Sequence, residues 1–280
     1  MDPALTPMSQ TAITSLQRSL SEWADKPANA QFLGKDQEAL LSASIGDPLR
    51  RPQVHVAAWM LGTWHLGHGF AQALSGNGRG FDEARTGQAL RRCALLLRQS
   101  HQQPLRRTSA SRLPFSQMHG TLTALLGLSL HDPGCEGLYE LLRRQPDSAF
   151  GEEDHLAMFT RELLTLRAGE RPNITPRLGP YQHVLMHWDG DQRLLAEALA
   201  DVLDLHLEQT HGAGSTFYDP PCRLYPLEVF AVQHVRQWLE LGNPKVEQAM
   251  MFTNLATMKP TGPWPSNDLV QRLERQLRGR

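Results

Sequence analysis

Between Asp191 and Gln209 the chain places Leu195, Leu199, Val202 and His206 at three- and four-residue intervals, with Glu197, Asp201, Asp204 and Glu208 offset between them. At about 100° per residue the two sets fall on opposite faces of one helix. A helix with one apolar face is stable only when another element covers that face, so this pattern already demands a packed partner. The same spacing recurs along the chain, whereas period-two alternation of useful length is missing. The expected fold class is therefore all-α: stacked antiparallel helix pairs, about a dozen helices, no significant β-sheet. No clean repeat of fixed period supports a regular solenoid.

Helices are predicted over Ser9–Ala24, Lys35–Ser44, Gln53–Leu74, Asp82–Gln99, Phe115–Leu130, Leu138–Arg144, Glu152–Arg167, Asp191–Gln209, Leu227–Leu241, Lys245–Met258 and Asn267–Leu277. Gln53–Leu74 is the most apolar. Its Gly62, Gly67 and Gly69 weaken it as a helix but allow a neighbour to come close. Gly76 to Gly80 reads as a turn, Gln103–Leu113 as a basic polar loop, and Pro172–Pro180 as a linker. Residues 1–9 read as a disordered lead and 10–280 as a single helical domain, with a soft division near 170–180; 280 residues suffice for a substantial core.

Formal net charge is −1, which gives no electrostatic argument for nucleic acid, but the charges are segregated. Seven arginines and no acid lie between Arg85 and Arg112. Nine acids face four arginines from Asp132 to Glu170, and eight face two from Met186 to Glu228. The basic stretch lacks aromatics for base stacking and reads as a surface face or as an intramolecular partner of the acidic segments. Cys93, Cys135 and Cys222 form no CxxC pair, which argues for reduced thiols in a cytoplasmic protein. No apolar run reaches the roughly 20 residues of a membrane span, and the N-terminus lacks the form of a signal peptide.

Each trace of chemistry has a plainer reading beside it. His65 and His68, three apart on one helix, are the weak metal-site alternative, lacking an HExxH and an identified third ligand. His131-Asp132 resembles a metal dyad, but Pro133-Gly134 makes it a helix-ending turn with a capping aspartate. His187 to Asp191 gathers a histidine and two acids, best read as an N-cap by Asp189 or Asp191. Cys93 sits on an apolar helix face as core. No P-loop and no GxSxG occurs. The residues call for no cofactor.

The C-terminal half carries an ordered set of features. Asp189-Gly190-Asp191 precedes a helix with Leu195, Leu199, Leu203 and His206. A polar loop follows, then Leu224-Tyr225-Pro226-Leu227-Glu228 opens a helix running through Phe230, Val235 and Trp238 to Gly242. Ala57-Ala58-Trp59 and Gly69-Phe70 add a weaker echo in the N-terminal half. This set, best over residues 181–242, resembles the immunity protein 49 family of bacterial polymorphic-toxin systems. The resemblance implies an all-helical cytoplasmic protein that binds and neutralises a cognate toxin domain, one to one, with no catalytic residue.

Charge and aromatic placement then nominate the partner-binding residues: the stripe Glu197, Asp201, Asp204 and Glu208, the cluster Glu152, Glu153 and Asp154, and the loop residues Phe217, Tyr218 and Asp219. A metal-dependent hydrolase of helical fold and a general helical interaction scaffold stand as the alternatives.

Overall fold

A computed structural model describes residues 7–47, 50–102, 117–210, 216–217, 219–260 and 262–279, and among these no strand occurs. The fold is all-α. Its elements are α1 (Pro7–Asp25), α2 (Pro27–Asn29), α3 (Asp36–Ser44), α4 (Arg51–Leu74), α5 (Gly80–Gln102), α6 (Gln117–Leu130), α7 (Glu136–Arg143), α8 (His155–Arg167), α9 (Gln182–Met186), α10 (Gln192–Glu208), α11 (Leu227–Trp238), α12 (Asn254–Thr257) and α13 (Asp268–Arg278). A π-helical turn, Ala30–Lys35, joins α2 to α3.

The antiparallel pair α4–α5 is the spine, and glycine permits its close approach. A methyl group at Gly69 would lie 2.5 Å from the backbone of both Gly80 and Ala84, and one at Gly62 would lie 2.8 Å from the Gly87 carbonyl. The two backbones thus touch where any side chain would wedge them apart. Gly67 faces another way, its Cα under the ring of Trp23 on α1.

The spine serves two cores. Val54, Ala58 and Leu61 of α4 join Leu90, Cys93 and Leu97 of α5, Leu41 of α3, and Leu269 and Leu273 of α13. The other half of the pair gives Leu66, Phe70 and Phe81 to a larger core with α1, α6, α8, α10 and α11. Each fully buried leucine contributes roughly 1.5–3 kcal/mol. Burial drives the Cys93 thiol up to about 12, as befits a core position.

The basic run on α5 is largely consumed inside. Arg91, with no exposure to water, donates to Asp219 at 2.5 Å and lies 4.1 Å from the Trp59 ring centre. Arg92 donates to Asp132 at 2.9 Å and to Glu274 at 2.8 Å. Arg91 and Arg92 thus tie Asp132, Asp219 and Glu274 to the spine. Residues 106, 107 and 112 and the expected loop 103–113 lie outside the described residues.

Four expectations need correction. Lys245–Met258 is no continuous helix: Pro244, Val246 and Gln248 are buried while Lys245 and Glu247 are exposed, the period-two pattern of an extended strap. Only a 3-10 turn at Ala249–Phe252 and the short α12 follow. The helix expected from Glu152 begins at His155, because Asp154 turns back to accept from the Gly151 amide at 2.7 Å. Pro172–Pro180 is not merely a linker, since its second half forms a 3-10 helix, Pro176–Tyr181. Leu178 is buried there, and Tyr181 stacks on Phe159 at 4.7 Å. At the N-terminus α1 already begins at Pro7, inside the expected lead.

Candidate functional site: the acidic face of α10

Helix α10 starts where Asp191 accepts from the Arg193 amide at 2.7 Å, the N-cap role expected for it. From there one face goes inward. Leu195, Leu199, Val202 and Leu203 are buried, and His206 is buried with them. The His206 Nδ1 meets the Glu228 carboxylate at 2.8 Å, and Nε2 lies 3.0 and 3.2 Å from the carbonyls of Cys222 and Arg223. Both ring nitrogens thus lie within hydrogen-bond distance of oxygen atoms, and these contacts tie α10 to α11 and to Cys222 and Arg223 before it.

The opposite face is the row Glu197, Asp201, Asp204 and Glu208, all four exposed. Glu197 accepts from Arg193 at 2.7 Å, an exposed pair worth a few tenths of a kcal/mol. Asp204 accepts from Gln248 at 2.9 Å, which fixes the strap against the row. Asp201 and Glu208 have no cationic partner among the described residues. Beside the row runs a shallow groove of about 400 Å³, floored by Ala196 and Ala200 and walled by Pro244, Lys245 and Glu247 of the strap.

Large apolar side chains stand exposed, with Arg167 of α8 lying 4.7 Å from the Trp238 ring centre. Met186 on α9 is 57% exposed, and Trp238 at the end of α11 is 59% exposed. Phe252, four residues beyond Gln248, is 57% exposed. An acidic row with a groove and scattered apolar anchors suits a protein surface better than a small ligand. Sequence reasoning missed the groove and these anchors. The alternation Pro244-Lys245-Val246-Glu247-Gln248 was the available signal for the strap.

The other nominated residues divide. Glu152 and Glu153 are exposed in the turn before α8, while Asp154 is partly buried and held by the Gly151 amide. Phe217 and Asp219 are not surface contacts, contrary to expectation. Phe217 is fully buried, stacked on His206 at 3.6 Å, and Asp219 is the buried partner of Arg91. Both side chains pack into the interior, one on α10 and the other on α5. Tyr218 lies outside the described residues.

His65 and His68 do meet a third group. The Glu83 carboxylate of α5 lies 3.3 Å from His65 Nδ1 and 2.8 Å from His68 Nδ1, and Gln72 donates to its other oxygen at 3.1 Å. Burial works to raise Glu83, but the hydrogen bonds from the two histidines hold it below the usual range. Among the described residues no three histidine, cysteine or carboxylate side chains take up metal-holding geometry, so this is a hydrogen-bonded clasp between α4 and α5. Among the same residues no helix is long and apolar enough to cross a membrane.

No protein-family model, no curated protein and no solved structure matches this chain.

Proposed function

We propose that this protein is an immunity protein that binds a cognate, basic toxin domain one to one and neutralises it by occlusion. The observation that carries the reading is the exposed row on α10, in which Asp201 and Glu208 lack a cationic partner among the described residues. Exposed carboxylates fixed on a rigid helix speed the approach of a basic partner and set its register. Met186, Trp238 and Phe252 are large enough to fill pockets on that partner, and buried aromatic anchors carry most of the energy of such interfaces. The features of residues 181–242 that resemble the immunity protein 49 family lie on this part of the molecule. Occlusion calls on no catalytic group, cofactor or small-molecule substrate of this chain, and it takes place in the cytoplasm of the toxin-producing cell.

The test is co-expression with the product of the adjoining gene in a sensitive host. The expected result is growth restored by this chain and an equimolar complex on gel filtration. Absence of both complex and rescue would remove the reading. A complex with a protein that is not toxic would leave a general interaction scaffold in its place.

A further inference from the structure

A separate cavity of about 230 Å³ lies between the end of α6, α11 and the segment after α12. Its lining among the described residues holds four cationic or protonatable side chains, Arg85, His131, His234 and Lys259, and no carboxylate. Arg85 forms the floor and is buried, and Lys259 stands exposed at the rim. Tyr225 and Phe230, whose ring centres are 5.3 Å apart, supply an apolar wall.

Two further observations point to an anionic ligand. Among the described residues the buried Arg85 Nε has no hydrogen-bond partner; its Nη1 donates to the Gly262 carbonyl at 3.3 Å, and the Asp82 carboxylate is 3.9 Å away. Burying an unsatisfied donor costs about 1–3 kcal/mol, more for a charged group. The second is backbone strain. His131 has φ +60°, and the Asp132 amide bonds back to the Gly127 carbonyl at 2.8 Å, so His131 occupies the left-handed position that ends α6 and that glycine ordinarily fills. The strained residue brings its imidazole to 4.1 Å from that of His234, centre to centre. Strain retained to place a titratable ring in a cavity is a mark of a functional position.

We propose that this cavity binds a small organic anion, with its carboxylate or phosphoryl group held by Arg85, His131, His234 and Lys259 and its apolar part against Tyr225 and Phe230. The cavity is smaller than a typical drug-sized site, which limits the ligand to about one ring and its acidic group. Binding is linked to protons. In the free protein burial, Arg85 and Lys259 lower His131, and burial, His131 and Arg167 of α8 pull His234 down to about 4. Among the described residues, Asp82, 3.9 Å from Arg85, and Tyr225 are the other titratable groups at the cavity. An anion between the imidazoles favours their charged forms, so binding takes up protons and tightens as pH falls. This site is independent of the acidic face of α10, and either stands if the other fails.

The test is calorimetric titration of the full chain with sodium benzoate, phenyl phosphate, inorganic phosphate and neutral benzamide. The expected result is saturable equimolar binding of benzoate or phenyl phosphate, with benzamide at least about tenfold weaker. Benzoate alone identifies a carboxylate site and phenyl phosphate alone a phosphoryl site. Benzoate, ionised throughout, binds more tightly at pH 5.5 than at pH 7.5. His131→Gly relieves the backbone and keeps the fold, and Lys259→Ala changes only the rim, yet each loses about tenfold in affinity. Overturning results are no saturable binding of either organic anion below about 10 mM, equal binding of benzamide, an inverted pH trend, or unchanged affinity in both variants.

Discussion

His206 and Glu228 face each other at 2.8 Å with neither side chain exposed to water, and Phe217 lies flat against the imidazole at 3.6 Å. The contact joins α10 to α11 and holds Phe217 against the core. The stack on His206 explains why Phe217, and the ion pair with Arg91 why Asp219, is unavailable to a partner although both look like loop-tip contacts in the sequence. The contact also leaves the outer face of α10 rigid, which is what a row of carboxylates needs to act as a docking surface.

Breaking this contact from one side is predicted to be costly. Glu228→Ala or His206→Ala leaves a buried group unpaired and should remove about 3–5 kcal/mol. Phe217→Ala should cost a similar amount, about 3–5 kcal/mol, by opening a cavity. Asp201→Ala, on the exposed face of the same helix, should stay within about 0.5 kcal/mol. Urea denaturation measures all four. A Glu228→Ala loss below about 1 kcal/mol would show that the pair does not hold α10 to α11.

The spine makes a second prediction. Gly87→Ala should destabilise by at least about 1–3 kcal/mol, because its Cβ would lie 2.6 Å from the Gly62 carbonyl in a contact of two backbones. Gly78→Ala is the control, since its nearest neighbour is the flexible end of Met258 at 3.4 Å. Thermal melts should separate the two variants clearly. Equal melting temperatures would mean that α4 and α5 are not in backbone contact.

How much of this was legible in the sequence follows from what each segment had to reveal. Helix spacing located most elements because apolar faces declare themselves at Ile13, Leu16 and Leu20 and again at Leu195 and Leu199. Gly62 and Gly69 foretold the close approach of a neighbour, though not that Gly80 and Gly87 would supply it. The strap at 244–248 was missed because five residues of alternation are too short to compete with a helical reading of Lys245–Met258. The acidic row was visible, being a property of one helix. Phe217 and Asp219 were misplaced because their burial depends on His206 and on Arg91, the latter 128 residues away along the chain. A long-range pair leaves no local pattern, and the cavity lined by Arg85, His131 and His234 was hidden for the same reason.

Stability should also depend on pH in a predictable direction. Burial, then Arg91, holds His119 down to about 4, and burial, His131 and Arg167 hold His234 down to about 4. In the unfolded chain both titrate near about 6.5, so between these values the unfolded state binds more protons. Their contribution is therefore complete above pH 6.5 and is lost as pH falls toward 4. Urea midpoints at pH 7.5 and pH 5.0 should drop on acidification, and the drop should shrink in His119→Asn and His234→Asn. An identical drop in both variants would assign the effect to other groups.

The central claim is that the outer face of α10 receives a basic toxin domain, and the association rate constant tests it most directly. Stopped-flow mixing of the chain with the product of the adjoining gene should give fast association that slows as salt rises. Asp201→Lys combined with Glu208→Lys should slow it about tenfold or more at low salt while leaving the melting temperature nearly unchanged. An unaltered rate constant in the charge-reversed protein would contradict the account.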